Sequence, residues 1–258
     1  PEVKAGDCVF RTYRLAIAVT GEFSNFFGSN AGNPDPAPVL SAVITTINRV
    51  NQVYEKDFTI RLVLITNTDD LFNYDPATDP YTNSSPGAML TENQSNTNGI
   101  IGIGNYDIGH VFGTQGGGLA SLNGPCNNNK ASAMTGISNP VGDGFAIDYV
   151  AHEMGHQFGA THTQNNDCNR SGNSSMEPGS ASTIMGYAGI CPPNVQSNSD
   201  DYFHAISIQQ VANFVAGETC NGTIDTFANN APAIDPLLNR FTPAGTPFVL
   251  TAFGNDAD

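Results

Sequence analysis

The stretch His152-Glu153-Met154-Gly155-His156-Gln157-Phe158-Gly159-Ala160-Thr161-His162 sets the strongest constraint on how this chain can fold. It reads H-E-x-x-H-x-x-G-x-x-H and gathers three of the chain's 5 histidines. His152 and His156 are four residues apart, so on a helix they lie one above the other on the same face. Gly159 falls where that helix has to stop, because glycine adopts the left-handed conformation that ends helices without steric cost. The chain must then turn and bring His162 back to the same point from a second direction. Any fold that hosts this segment needs a helix, a tight stop and a return.

The chemistry follows from the residue types. Two imidazoles so spaced can share a zinc ion, with Glu153 beside the metal as general base. His162 makes a third nitrogen ligand and leaves a fourth position for water, which is the pattern of a catalytic zinc site. A structural site would close that position with another protein ligand, usually cysteine. Zinc lowers the pKa of bound water to about 7 and acts as a Lewis acid. Glu153 would take the water's proton during attack on a carbonyl carbon and deliver it to the leaving amine. The reaction class is peptide hydrolysis. The bland alternative is a chance H-E-x-x-H on an ordinary helix, and the register of Gly159 and His162 argues against it.

A second segment, Ser182-Thr183-Ile184-Met185-Gly186-Tyr187, follows downstream. Alone, Met185 reads as a buried core methionine. After the extended histidine motif it resembles the metzincin metallopeptidases, in which a tight Met-turn forms an apolar floor beneath the zinc. The runs 10–23, 147–156 and 177–191 resemble secreted, reprolysin-like (adamalysin-like) metallopeptidases of bacteria, and the likeness covers roughly residues 8–220. The resemblance implies an α/β (α+β) fold: a twisted mixed sheet above an active-site helix, with a small C-terminal helical subdomain carrying His162 and Met185. It also implies Zn2+ as cofactor and protein or peptide substrates. Thr163 follows the third histidine where adamalysins have Asp. Tyr187 stands two residues after the methionine, as in astacins, serralysins and pappalysins. In astacins and serralysins that tyrosine can ligate zinc and swing away to stabilise the transition state. The resemblance extends this role to Tyr187; the competing reading is a tyrosine packed at the pocket wall.

Composition narrows the setting. The net charge of −15 argues against nucleic acid, which needs a basic footprint, and favours solubility and cation binding. No apolar run approaches the roughly 18 residues of a membrane span. The chain begins at Pro1 without Met, which we read as a processed, secreted, extracellular form, expected to be a monomer. Secretion favours disulfides among the 5 cysteines, although the sequence alone chooses no connectivity. Cys168 and Cys191 bracket the loop between the third histidine and the Met-turn, so a bridge there would staple the site's lower half. Related folds join the regions of Cys126 and Cys220. That pairing leaves Cys8 over, read first as a buried or alternatively paired thiol.

Along the chain, Phe10–Val19 reads as a strand, 21–38 as a loop, Pro38–Lys56 as a helix and Phe58–Thr66 as a strand parallel to the first. Asn67–Tyr81 is a polar loop whose Asp69, Asp70, Asp75 and Asp79 offer a possible structural Ca2+ site or a solvated surface. Met89–Gly99 reads as a short helix, and Asp107–Phe112 and Gly116–Ser121 as strands. In the resembled family the latter edge strand pairs with extended substrate. His110 is expected to be a core or surface histidine. Phe145–Phe158 is the active-site helix, with Asp143 expected to cap it, and Ala205–Ala216 is the last helix. Residues 1–222 are expected to form the catalytic domain. Residues 223–258 read as a linker and the start of a truncated cadherin-like or immunoglobulin-like module, with Asp256 and Asp258 suited to Ca2+. Two rival functions remain: a non-catalytic extracellular adhesive or scaffold module retaining a zinc site, and a zinc amidase of non-peptide substrates. The intact Glu153 argues against the first, since a degenerate site often loses its base early.

Overall fold

Strand β1 (Val9–Val19) is the strand on which the sheet is built. Leu15, Ala16, Ile17, Ala18 and Val19 are wholly buried because both faces of this strand are covered. Successive side chains point to opposite faces of a strand, and here they enter two separate cores. Tyr13, Leu15, Ile17 and Val19 join the larger core, while Ala16 and Ala18 join a smaller one with Met89, Tyr106 and Val111. A computed structural model describes residues 8–218, 220, 223–226, 233–236, 238–239, 241–249 and 251–255 of this chain.

The sheet adds β2 (Ile60–Leu64), β3 (Ile108–Gly113), β4 (Gly117–Ala120) and β5 (Ala133–Gly136) in the spatial order β2-β1-β3-β5-β4. The pairs β1–β2, β1–β3 and β3–β5 are parallel, and β4 runs antiparallel to β5 at the edge. This is the mixed α/β sheet expected from the sequence. β6 (Thr223–Thr226) pairs antiparallel with the start of β1. Beyond it, β7 (Ala233–Ile234) and β8 (Gly254–Asn255) form a two-stranded pair. Asp256 and Asp258 lie outside the described residues.

Several boundaries differ from the sequence reading, each for a local reason. The stretch expected to be a loop after β1 contains helix α1 (Gly21–Phe26), nucleated where Thr20 Oγ1 accepts the Phe23 N–H at 3.3 Å. Helix α2 (Pro36–Phe58) starts earlier than expected, because Asp35 caps Ala37 N–H at 3.0 Å and Pro36 fits the first turn. It ends at Thr59, which is left-handed at φ 55°, so Phe58 belongs to the helix and β2 begins at Ile60. Helix α3 (Pro86–Ile100) likewise begins at a proline ahead of Met89. The short buried strand β5 was not anticipated; Ala133, Met134, Thr135 and Gly136 carry no alternation to announce it. In the Asp-rich loop, Asp75 accepts the Ala77 N–H, and Asp79 accepts those of Gly21 and Tyr81. Among the described residues no three of these carboxylates gather around one point.

The helix carrying the histidine motif is not uniform. A turn of α-helix, α4 (Asp143–Phe145), passes into a π-helix over Ala146–Ala151 and then into α5 (His152–Gln157). Asp143 does not cap it: Gly142 occupies the N-cap. Asp143 instead forms a two-pronged ion pair with Arg49 of α2 at 2.8 and 3.0 Å. Arg49 also holds Asp201 at 3.0 Å, tying α2 to the segment before the last helix, α6 (Ala205–Val215). Among the described residues no helix is long and apolar enough to cross a membrane.

His110 is a core histidine. Its Nδ1 meets Gln157 Oε1 at 2.9 Å and its Nε2 meets Thr135 Oγ1 at 2.9 Å, joining β3 to β5 and α5. Burial depresses its pKa to about 4, against a partial opposing effect of the Gln157 hydrogen bond. In the unfolded chain a histidine titrates near 6.5, so between these values the unfolded state binds the extra proton. The stability carried by neutral His110 is therefore present above pH 6.5 and lost as pH falls toward 4, a loss of about 3 kcal/mol when complete. Urea unfolding of the zinc-free protein at pH 7 and pH 4.5 should show a shallower loss for His110→Gln than for the wild type. Equal losses in both would contradict this role.

Candidate metal centre

The end of α5 is a glycine-terminated stop. Gly159 has φ 91°, its N–H reaches His156 O at 2.9 Å, and Ala160 N–H reaches Gly155 O at 2.9 Å. This pair of bonds is the Schellman closure that left-handed glycine permits. A Cβ at Gly159 would also meet Asn123 Oδ1 at 2.5 Å. The chain then reverses and delivers His162.

The ligand-capable atoms of His152, His156 and His162 lie within 4.8 Å of one another, the one such group among the described residues. Each ring is held from behind. His152 Nδ1 donates to Ile184 O at 2.7 Å, His156 Nδ1 to Ala160 O at 2.8 Å and His162 Nδ1 to Asn169 O at 2.8 Å. With every Nδ1 proton committed to a carbonyl, every Nε2 of a neutral ring presents a lone pair inward. The Nε2 atoms of His156 and His162 face each other at 3.0 Å. Two lone pairs at that distance repel unless a cation stands between them. A tetrahedral ion with bonds of about 2.0–2.1 Å separates its nitrogens by roughly 3.3 Å, so this donor set fits zinc. Burial holds all three histidines below their usual pKa, His156 at about 4, and the neighbouring rings push His152 and His156 further. Neutral imidazole is the form that ligates a metal.

Glu153 is 6% exposed, and its Oε2 has no hydrogen-bond partner. Burial alone raises its pKa to about 8. It sits under the edge strand: a Cβ on Gly118 of β4 would run into the Glu153 carboxyl. Met185 is fully buried, and a Cβ at Gly155 would meet its sulfur at 2.6 Å, so the turn at Met185 packs directly on the motif helix. Glu177 braces the same turn, accepting the Ser182 and Thr183 N–H groups at 3.1 Å and the Thr183 hydroxyl. Burial raises the Glu177 pKa, but these bonds outweigh it and leave the carboxyl below its ordinary value. The Tyr187 ring packs edge-on against His162, centroids 4.6 Å apart, and its hydroxyl accepts from Asn169 Nδ2 at 3.0 Å. Two hollows of about 250 and 220 Å³ flank Glu153 and share Gly118, Glu153 and Tyr187 in their walls. A hollow of about 560 Å³ lies elsewhere, between α2 and β2, where Glu55 and Arg61 pair with each other.

The two disulfides are Cys168–Cys191 and Cys126–Cys220, with Cα–Cα distances of 6.2 and 5.4 Å, and Cys8 lies outside both. Gly118, Glu177 and Asn169 were not singled out from the sequence. Their roles rest on contacts between segments, for which no local pattern exists.

The model of metallo-peptidase family M12B, reprolysin-like, matches residues 9–215. The chain is a reprolysin-like metallopeptidase. The three-histidine group agrees with membership of a metallopeptidase family. No curated protein matches the chain. Among solved structures, this metallopeptidase is similar to one described as "Structure of a chaperone-substrate complex". The identity is 15%, the TM-score 0.46, and the match covers 80% of this chain and 36% of that one. The chain thus spans little more than a third of the length of that structure's chain.

The closeness of Gly118 to Glu153 yields a test within this reprolysin-like site. Gly118→Ala should displace the Glu153 carboxyl and lower kcat by about 10²-fold, the typical result of a misplacement near 1 Å, while zinc content is kept. Wild-type kcat in this variant would show that the strand does not fix the carboxyl.

Proposed function

We propose that this chain is a secreted zinc endopeptidase in which His152, His156 and His162 hold Zn2+ and Glu153 is the general base. The observation that carries the reading is the inward convergence of three imidazole Nε2 atoms beside a buried carboxyl oxygen that has no partner. When bound, zinc acidifies water toward a pKa of about 7 and polarises a carbonyl as a Lewis acid. Glu153 removes the proton of the attacking water and passes it to the leaving amine. Burial by itself raises its pKa, and a cation at the three histidines would lower it again toward the ionised form that accepts a proton. Tyr187, which lines both hollows, donates its hydroxyl to the oxyanion of the tetrahedral intermediate. Strand β4, at the sheet edge and lining the cleft with Gly117, Gly118 and Leu119, receives an extended peptide as an added strand. The two disulfides support an oxidising, extracellular location.

This reading is favoured over a zinc-bearing scaffold because the base is present and buried at the centre. It is favoured over a non-peptide amidase by the open strand edge. Casein hydrolysis tests it against both rivals. Glu153→Ala should keep one zinc per chain and lose about 10²–10⁴ in kcat, the usual share of a general base. Tyr187→Phe keeps the ring and removes only the hydroxyl, and should lose about 10²–10³ in kcat. Full proteolysis by zinc-loaded Glu153→Ala would sink the base assignment. A kcat/KM within about twofold of wild type in Tyr187→Phe would make Tyr187 a wall residue.

A further inference from the structure

Asn169 touches the centre twice. Its backbone carbonyl accepts the Nδ1 proton of His162 at 2.8 Å. Its side-chain Nδ2 donates to the Tyr187 hydroxyl at 3.0 Å. These two contacts run to opposite partners in the same packed pair, since the Tyr187 and His162 rings are in edge contact. The backbone that allows both is unusual: Asn169 has φ 51°, in the left-handed region that asparagine tolerates better than other side-chain-bearing residues. The preceding residue, Cys168, is bridged to Cys191, and its carbonyl accepts Gln164 Nε2 at 2.8 Å. The peptide bearing Asn169 is thereby anchored by a covalent cross-link on one side and a buried amide on the other. Asn169 itself is exposed at the rim of the cleft and lines the larger of the two hollows.

We propose that Asn169 is a positioning residue that acts on two groups at once: its carbonyl sets the tautomer and angle of His162, and its amide sets the direction of the Tyr187 hydroxyl. The inference rests on the zinc peptidase reading above and extends it to a residue outside the histidine motif and the Met-turn. The physical argument has two parts. A carbonyl on Nδ1 leaves Nε2 as the lone-pair nitrogen, and such outer partners typically contribute about 10–100-fold in metal affinity. An N–H donor on the tyrosine oxygen occupies one lone pair and leaves the O–H proton to point away from Asn169, toward the cleft, where a donor to a developing oxyanion is needed.

Three substitutions separate the two contacts. Asn169→Gly keeps the left-handed backbone and the carbonyl but removes the amide. Asn169→Asp also tolerates the backbone, but its carboxylate accepts the tyrosine proton and turns the hydroxyl away from the cleft. Asn169→Val disfavours φ 51° and displaces the carbonyl. Zinc Kd is measured by chelator competition on each full-length variant, and kcat and KM are measured on a peptide. Asn169→Gly and Asn169→Asp should keep zinc Kd within about threefold, and Asn169→Val should weaken it by about 10–100-fold. Asn169→Asp should lower kcat by about tenfold or more with little change in KM, and should add nothing in a Tyr187→Phe background.

Unchanged zinc affinity in Asn169→Val would overturn the His162 half. A kcat loss in Asn169→Asp that persists undiminished in the Tyr187→Phe background would overturn the Tyr187 half. If Asn169→Val fails to fold, judged by circular dichroism, the Asp and Gly variants still decide the second half. A zinc affinity shared by Asn169→Gly and wild type, with loss on reduction of Cys168–Cys191, decides the first; no loss on reduction overturns it. A silent Tyr187→Phe would count against the transition-state role given to Tyr187, while the zinc measurements would still judge Asn169.

Discussion

Three imidazole nitrogens aim their lone pairs at one point, and that arrangement is unfavourable unless a cation occupies it. The fold holds it by gripping each ring from behind with a backbone carbonyl, and the three carbonyls come from three different places. Ala160 belongs to the glycine stop of the helix, Ile184 to the Met-turn, and Asn169 to the loop pinned by the Cys168–Cys191 bridge. Much of the C-terminal half serves to locate those carbonyls. Gly155 lets Met185 pack against the helix, which sets Ile184, and Glu177 ties the turn to the backbone after His162 through Ser182, Thr183 and the Glu177 N–H on Thr163 O.

Burying this polar group opposes folding, and the N-terminal half offsets that cost. The apolar face of α2, with Val43, Ile47, Val50 and Tyr54, packs into the core shared by β1 and the motif helix. Tyr54 donates its hydroxyl to Ala151 O at 2.9 Å, the last residue before His152. Since His152, His162 and the unpartnered Glu153 oxygen are buried and His156 is partly so, a cation bound only by the native chain adds its binding free energy to stability. Protein stability and cation binding are thus coupled through one small volume.

The parts legible in the sequence are those whose geometry is local. The i, i+4 histidines, the glycine stop and the buried methionine needed only helical periodicity, glycine's freedom and a resemblance in spacing. The alternation and apolar runs of β1, α2 and β2 marked the central strand–helix–strand unit, although caps at Asp35 and Thr59 moved its boundaries. What was not legible depends on distance between segments. Asp143 resembles a helix cap in sequence, yet Arg49, far earlier in the chain, draws it into an ion pair. Gly118 looks like one glycine among 27 until the strand is laid over Glu153. The π-helix over Ala146–Ala151 leaves no compositional trace, and β5 is too short and too uniformly buried to alternate.

The most direct test of the centre is X-ray absorption at the zinc edge of the purified, zinc-loaded protein. Three imidazole nitrogens at about 2.0–2.1 Å, no sulfur, and a stoichiometry of one zinc per chain are the predicted result. A sulfur ligand at about 2.3 Å, or fewer than three imidazoles around the metal, would contradict the assignment of His152, His156 and His162.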